Sequence, residues 1–118
     1  MIQHQQWHTK HQILITDMMH DGSVQVSIPT KNDKADNTKD KADAIIYALW
    51  VGECYRQRGA GRELLAKAER EAKRMGCKKV CLWYDNHNAP SWLKDWYIRL
   101  GYKEAINTPH EVVLVKDL

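Results

Sequence analysis

Arg56, Arg58, Gly59, Gly61 and Arg62 fall within one short stretch, and these residue types at this spacing suit an anion. Glycines leave backbone N–H groups open to close approach, and guanidinium groups supply positive charge. Directly behind them Leu64, Leu65, Ala68, Ala72 and Met75 recur at helical spacing. Glu63, Lys67, Glu69, Arg70, Glu71, Lys73 and Arg74 occupy the remaining faces. This pattern predicts an amphipathic helix from Gly59 to Met75, stopped by Gly76. The first turn of such a helix has N–H groups without intrahelical partners, and its dipole favours an anion by roughly 0.3–1 kcal/mol per charge. A pyrophosphate would be held by the segment Arg56, Gln57, Arg58, Gly59, Ala60, Gly61 and Arg62.

Two familiar nucleotide loops do not fit. A P-loop needs Gly-Lys-Ser/Thr, whereas Arg62-Glu63 follows Gly61, and the dinucleotide fingerprint needs a third glycine. Other clusters have plain readings. His4, His8 and His11 lie in a glutamine-rich segment without a nearby carboxylate, so a frayed terminus is expected rather than a metal site. Cys54, Cys77 and Cys81 are an odd set without paired metal spacing, as for reduced thiols. No metal is expected.

The elements that position the anion loop are also legible. A chain of 118 residues with 43% hydrophobic content makes one domain with one core. Gln12–Met18 and Val24–Pro29, joined by His20-Asp21-Gly22-Ser23, read as a hairpin. Met1–Lys10 could supply a short first strand. Thr30–Asp43 is a polar run with four lysines and four aspartates from Lys31 to Asp43, expected to be an exposed loop. Ala44–Val51 is mostly apolar, as for a strand buried on both faces. Three parts of the domain follow: residues 1–43 (N-terminal strands and polar loop), 44–76 (strand, loop and helix) and 77–118 (strand, helix and strands). No apolar stretch is long enough to span a bilayer, the first residues lack a signal-peptide layout, and the expected location is cytoplasmic. The net charge of +3 gives no footprint for a nucleic-acid partner.

Taken together, Leu49-x-Val51, Arg56-x-x-Gly59-x-Gly61 and the helix behind them resemble the cofactor motif of the GCN5-related N-acetyltransferase (GNAT) family. The resemblance extends from Ala44 to Leu118. Cys77–Tyr84 is similar to the next family strand, Ala89–Leu100 to the following helix, and Gly101-Tyr102 to the Gly-Phe/Tyr pair opening the strand after it. The implied fold is α/β, a GNAT-like acyl-CoA N-acyltransferase fold with a central mixed, mostly antiparallel sheet flanked by helices. The implied cosubstrate is acetyl-CoA, and the implied reaction is acetyl transfer to a primary amine by direct attack in a ternary complex. By the same resemblance Leu49, Trp50 and Val51 offer backbone groups to the pantetheine arm and thioester. Tyr97, four residues before Gly101, is the general acid. An asparagine, Asn88 in preference to Asn86, contacts the pantetheine.

The chain departs from the family in two places. No glutamate occurs between Ala44 and Val51 to act as general base, leaving Glu53 and His87 as candidates. The residues before Ala44 leave no room for the family's N-terminal helices, which are reduced or absent. The acceptor side is therefore expected to be open or completed by a second subunit, as in a homodimer. Polyamine, amino sugar, antibiotic, peptide N-terminus and lysine side chain all stay open as acceptors. A non-catalytic acyl-CoA-binding domain and an interaction module completed by a partner protein are the alternatives from other functional classes.

Overall fold

Alternation sets the sheet. In β2 (Lys10–Asp17) Ile13 and Ile15 are buried, and in β3 (Gly22–Pro29) Val24 and Val26 are buried, while the intervening residues face the other side. The computed structural model describes residues 1–31, 42–52, 59–84, 89–109 and 112–118. Its further elements are β1 (Ile2–Gln6), β4 (Ala44–Val51), α1 (Ala60–Arg74), β5 (Lys79–Tyr84), α2 (Ser91–Arg99), β6 (Lys103–Asn107) and β7 (Val112–Asp117). The described strands form one sheet in the order β1-β2-β3-β4-β5-β7-β6. All neighbours are antiparallel except β4 and β5.

Both described helices pack on one face. α1 buries Leu64, Leu65, Ala68 and Ala72 at helical spacing, in one cluster with Ile13, Ile15, Val24, Val26, Ala44 and Ile46. Each fully buried leucine contributes about 1.5–3 kcal/mol. α2 adds Tyr97, Leu93, Trp96 and Leu100 to the same cluster. The two helices also stop in the same way. After α1, Gly76 at φ 94° follows the cap; its N–H bonds the Lys73 carbonyl at 3.0 Å, and the Cys77 N–H bonds that of Ala72 at 3.0 Å. After α2, Gly101 at φ 102° bonds Ile98 at 3.1 Å, and the Tyr102 N–H bonds Tyr97 at 3.2 Å. Both are left-handed glycine caps that satisfy terminal carbonyls. The Gly101-Tyr102 pair thus ends a helix and delivers Tyr102 into the core, where it is 1% exposed.

Two expectations are corrected. The N-terminal segment is not frayed: β1 pairs along β2 from Ile2↔Ile15 to Gln6↔His11. His4 Nδ1 and His11 Nε2 lie 2.8 Å apart, and His4 Nε2 is 3.5 Å from the buried Glu71 carboxylate of α1, which Arg74 also binds at 2.7 Å. Cross-strand hydrogen bonding and this ion pair outweigh terminal fraying. Among the described residues no His, Cys, Asp and Glu cluster could hold a metal. Secondly, β4 is buried on both faces only at Ala44, Ile45 and Ile46, and beyond them it is half-buried to exposed. The cause is the loss of its β5 partner. Most of the polar run after Thr30 lies outside the described residues.

Candidate functional site

β4 and β5 pair only at Ala44↔Val80 and Ile45↔Cys81. Past that point β5 stays with β7 as far as Tyr84↔Val112, and β4 stays with β3 as far as Val51↔Gly22. The two central strands therefore part in a wedge open at their C-terminal ends. The β5-facing N–H and C=O groups of β4 beyond Ile46 lose their ladder partners, and such groups require hydrogen bonds from another source. An irregularity in β4 re-aims the backbone at that place. Ser23 pairs with Trp50 but Gln25 with Tyr47, so β4 carries one extra residue, and Ala48 has φ 54°. Holding a residue with a Cβ in the left-handed region costs about 1–2 kcal/mol. Bulges and backbone strain of this kind collect at functional sites.

The mouth of the wedge is formed by α1. Gly59, at φ 82°, occupies its N-cap without any side-chain cap, and the intrahelical ladder starts with Glu63 N–H to Gly59 C=O at 3.0 Å. The first-turn N–H groups of Ala60, Gly61 and Arg62 precede that bond and have no intrahelical acceptor. Among the described residues a Cβ on Gly59 would meet nothing within 4 Å. β4 is fixed against the β2–β3 turn, because the Gly52 N–H bonds the Asp21 carbonyl at 2.9 Å. Gly22 makes the approach of α1 possible: a Cβ there would lie 2.7 Å from Leu64 Cδ1 and 3.1 Å from the Trp50 carbonyl oxygen.

Three tyrosines of the helix-side core differ in state. Tyr84 donates its hydroxyl to the Pro90 carbonyl at 3.0 Å, and Tyr102 donates to Glu69 Oε2 at 2.8 Å. Lys116 Nζ also bonds Glu69, at 2.9 Å. Burial and the Glu69 carboxylate push the Tyr102 phenol far above its ordinary range. Tyr97, 9% exposed, packs edge-on to Tyr102 with ring centroids 6.0 Å apart, and burial raises its pKa above 10. Its hydroxyl has no acceptor among the described residues. It is thus a protonated phenol at neutral pH.

Of the sequence-predicted residues, the structure brings Leu49, Trp50, Val51, Ala60, Gly61 and Arg62 to the rim of the wedge, with Gly59 at the cap. Leu49 and Val51 are half-buried against the helix-side core, and Trp50 is 54% exposed on the opposite face. Arg56, Gln57, Arg58 and Asn88 lie outside the described residues, as do Asn86, Glu53, His87 and Cys54. Sequence reading did not foresee the Trp96 contact. A Cβ on Gly61 would lie 3.7 Å from Val51 Cγ2 and 3.8 Å from the Trp96 indole, so α2 leans on the first turn of α1. Nor did it single out Asp17 and His20, whose side chains bond at 2.7 Å in the β2–β3 turn, His20 holding the Asp17 carboxyl below its usual range. The Asp-x-x-His spacing was the available signal.

The sequence profile of the acetyltransferase (GNAT) family matches residues 5–102. The chain belongs to this family. A search of curated proteins gave no significant match. Among solved structures, a putative acyl-CoA N-acyltransferase from Klebsiella pneumoniae is 18% identical with TM-score 0.66, covering 93% of this chain and 73% of its own. The PaiA N-acetyltransferase of Thermoplasma acidophilum, solved in complex with coenzyme A, is 21% identical with TM-score 0.62, covering 82% of this chain and 53% of that one. The ribosomal-protein-S18-alanine N-acetyltransferase of Escherichia coli is 18% identical with TM-score 0.61, covering 95% and 71%. At these identities the likeness is one of fold. This GNAT chain reaches the fold with its N-terminal strands joined directly: β1 and β2 are linked by a short turn in which the Trp7 N–H bonds the Lys10 carbonyl at 2.8 Å. Among the described residues no helix covers the sheet face opposite α1 and α2.

Proposed function

We propose that this GNAT protein transfers the acetyl group of acetyl-CoA to a primary amine, by direct attack in a ternary complex. The observation that carries this reading is the wedge: two paired positions between β4 and β5, then a bulged β4 edge that has left the β5 ladder, leading to a helix N-terminus without a side-chain cap. A pantetheine arm carries the amide donors and acceptors that such an edge lacks, and a pyrophosphate suits the N–H groups of Ala60, Gly61 and Arg62. Arg56, Gln57 and Arg58 precede them in sequence and supply charge, and Asn88 is assigned to the pantetheine.

Bound acetyl-CoA supplies an activated acyl group as its thioester. The chain then has three tasks. N–H groups of Leu49, Trp50 and Val51 stabilise the negative charge that develops on the carbonyl oxygen. As the C–N bond forms and the C–S bond breaks, the amine proton leaves to water or a nearby base, with Glu53 and His87 as candidates. Tyr97 gives its proton to the departing sulfur and regains one from solvent. With ordinary values near 10 for a phenol and 8.5 for a thiol, that transfer is uphill by at least about 2 kcal/mol, and the burial that raises Tyr97 adds to it, so it must accompany bond cleavage. The test is thiol release from acetyl-CoA with and without primary amines, alongside calorimetric titration of acetyl-CoA. Amine-dependent release supports transfer. Binding without release identifies a non-catalytic acyl-CoA-binding domain.

A further inference from the structure

On the sheet face opposite the two helices, three polar side chains interlock across β2, β3 and β4. Gln12 Nε2 donates to Gln25 Oε1 at 2.9 Å and to the Tyr47 hydroxyl, and Tyr47 donates to Gln25 Oε1 at 3.2 Å. The Gln12 amide protons and the Tyr47 hydroxyl proton are consumed inside the cluster. What remains is Gln12 Oε1, a buried acceptor without a partner, the one such side-chain atom among the described residues. A buried polar atom left unpaired is unfavourable, and a ligand donor would relieve that. Gln12 also lines a shallow cavity of about 310 Å³ with Gln3, Gln5 and Leu14.

The cluster adjoins the wedge. Tyr47 directly precedes the bulge residue Ala48, and the β4–β5 register, carried on from Ile45↔Cys81, sets Trp83 level with Tyr47 across the opening. Strand alternation places Trp50 and Trp83 on this same face, because Leu49, Val51, Leu82 and Tyr84 all pack toward the helices. The two indoles are 54% and 52% exposed, a large apolar area for a surface. Two carboxylates among the described residues are already engaged. Asp43 is engaged by the Lys78 and Lys79 N–H groups at 2.7 and 3.2 Å, and Asp117 by the Lys79 ammonium at 3.7 Å.

We propose that this helix-free face is the acceptor surface, and that it takes a primary amine carried on an uncharged, hydroxyl-rich skeleton, of which an amino sugar is the simplest case. Flat indoles meet the C–H face of such a skeleton, and Gln12 Oε1 accepts from one of its hydroxyls. A polyamine has no flat C–H face to set against the indoles. This assignment rests on the acetyltransferase reading above.

The experiment measures initial rates of thiol release at saturating acetyl-CoA with glucosamine, spermidine and a lysine-containing peptide. Trp83→Ala, Trp83→Phe and Gln12→Leu are compared with the native chain. Glucosamine should give the highest kcat/KM. Trp83→Ala and Gln12→Leu should each raise its KM about tenfold at unchanged acetyl-CoA affinity, and Trp83→Phe should recover part of the loss. Trp83 is exposed, so its variants fold whatever becomes of Gln12→Leu. Preference for spermidine or the peptide would overturn the proposal, as would an unchanged glucosamine KM. A dimer in sedimentation that Trp83→Ala dissociates would also overturn it, giving the face to a second copy. Failure of the native chain to bind acetyl-CoA would instead remove the functional reading on which the proposal stands.

Discussion

Replacing Gly61 by alanine should stabilise the protein and leave acetyl-CoA binding intact, whereas glutamate at the same position should abolish binding. The geometry sets both outcomes. A Cβ at Gly61 would sit 3.7 Å from Val51 Cγ2 and 3.8 and 3.9 Å from two carbons of Trp96, which is ordinary van der Waals contact. Gly61 is the second residue of α1 and needs no left-handed backbone. Alanine therefore gains about 0.5–1 kcal/mol from the smaller entropy of the unfolded chain, and each new carbon contact adds about 0.1–0.2 kcal/mol. For a domain of this size a gain near 1 kcal/mol raises Tm by about 4–8 °C. Glutamate carries further atoms along the same direction, so it must pry Trp96 from Val51, at about 1–3 kcal/mol for overpacking. It also brings a carboxylate to the N–H groups assigned to the pyrophosphate. Urea unfolding gives the stability and calorimetric titration the affinity. Destabilisation by Gly61→Ala, or loss of acetyl-CoA binding in that variant, would refute the packing argument. Full affinity in a folded Gly61→Glu would place the phosphates elsewhere.

Tyr97→Phe should lower kcat by about 10²–10⁴-fold with acetyl-CoA affinity unchanged; an unchanged rate would remove Tyr97 from the mechanism. Because burial raises this phenol, and a phenol is protonated below its pKa, its contribution should persist through neutral pH and fade only above about 10. A loss of kcat traced to this group well below that value would contradict the assignment. Tyr102→Phe removes the hydrogen bond to Glu69 and should cost about 1.5–3 kcal/mol in urea unfolding, since Lys116 still holds the carboxylate; native stability in this variant would show the bond to be dispensable. Cys77, pushed up to about 11 chiefly by burial, is a protonated thiol at neutral pH, and Cys81 is fully buried. Both should resist a thiol reagent until urea unfolds the chain, and rapid labelling of either in the native protein would contradict their burial.

Local periodicity carried much of this architecture. The 3.6-residue recurrence of Leu64, Leu65, Ala68 and Ala72 marked α1, and Gly76 marked its end because a left-handed cap favours glycine there; Gly101 was placed by the family resemblance, as the opening of a strand. The strand over Ala44–Val51 was legible to its end residues. Its half-burial was not, because the wedge arises from what β5 does after Cys81, a nonlocal event that leaves no period in β4. Ala48 illustrates the same limit: an alanine at positive φ is invisible in a sequence, whereas a glycine would have announced it. β1 was legible as a possible short strand within Met1–Lys10, while its histidines read as a frayed tail, because glutamine and histidine side chains in an edge strand look solvated until Glu71 of α1 is known to sit beneath His4. The polar cluster on the helix-free face joins residues far apart in the chain, Gln12, Gln25 and Tyr47, and only the register of three strands brings them together.

Amide hydrogen exchange with and without acetyl-CoA tests the central claim most directly. The account predicts that acetyl-CoA slows exchange in two segments, β4 from Ile46 to Gly52 and the first turn of α1 from Ala60 to Arg62, while β1 and β2 stay unchanged. Binding that left the β4 and α1 amides exchanging at their free rates would contradict it, because the wedge would then not be where the cosubstrate lies.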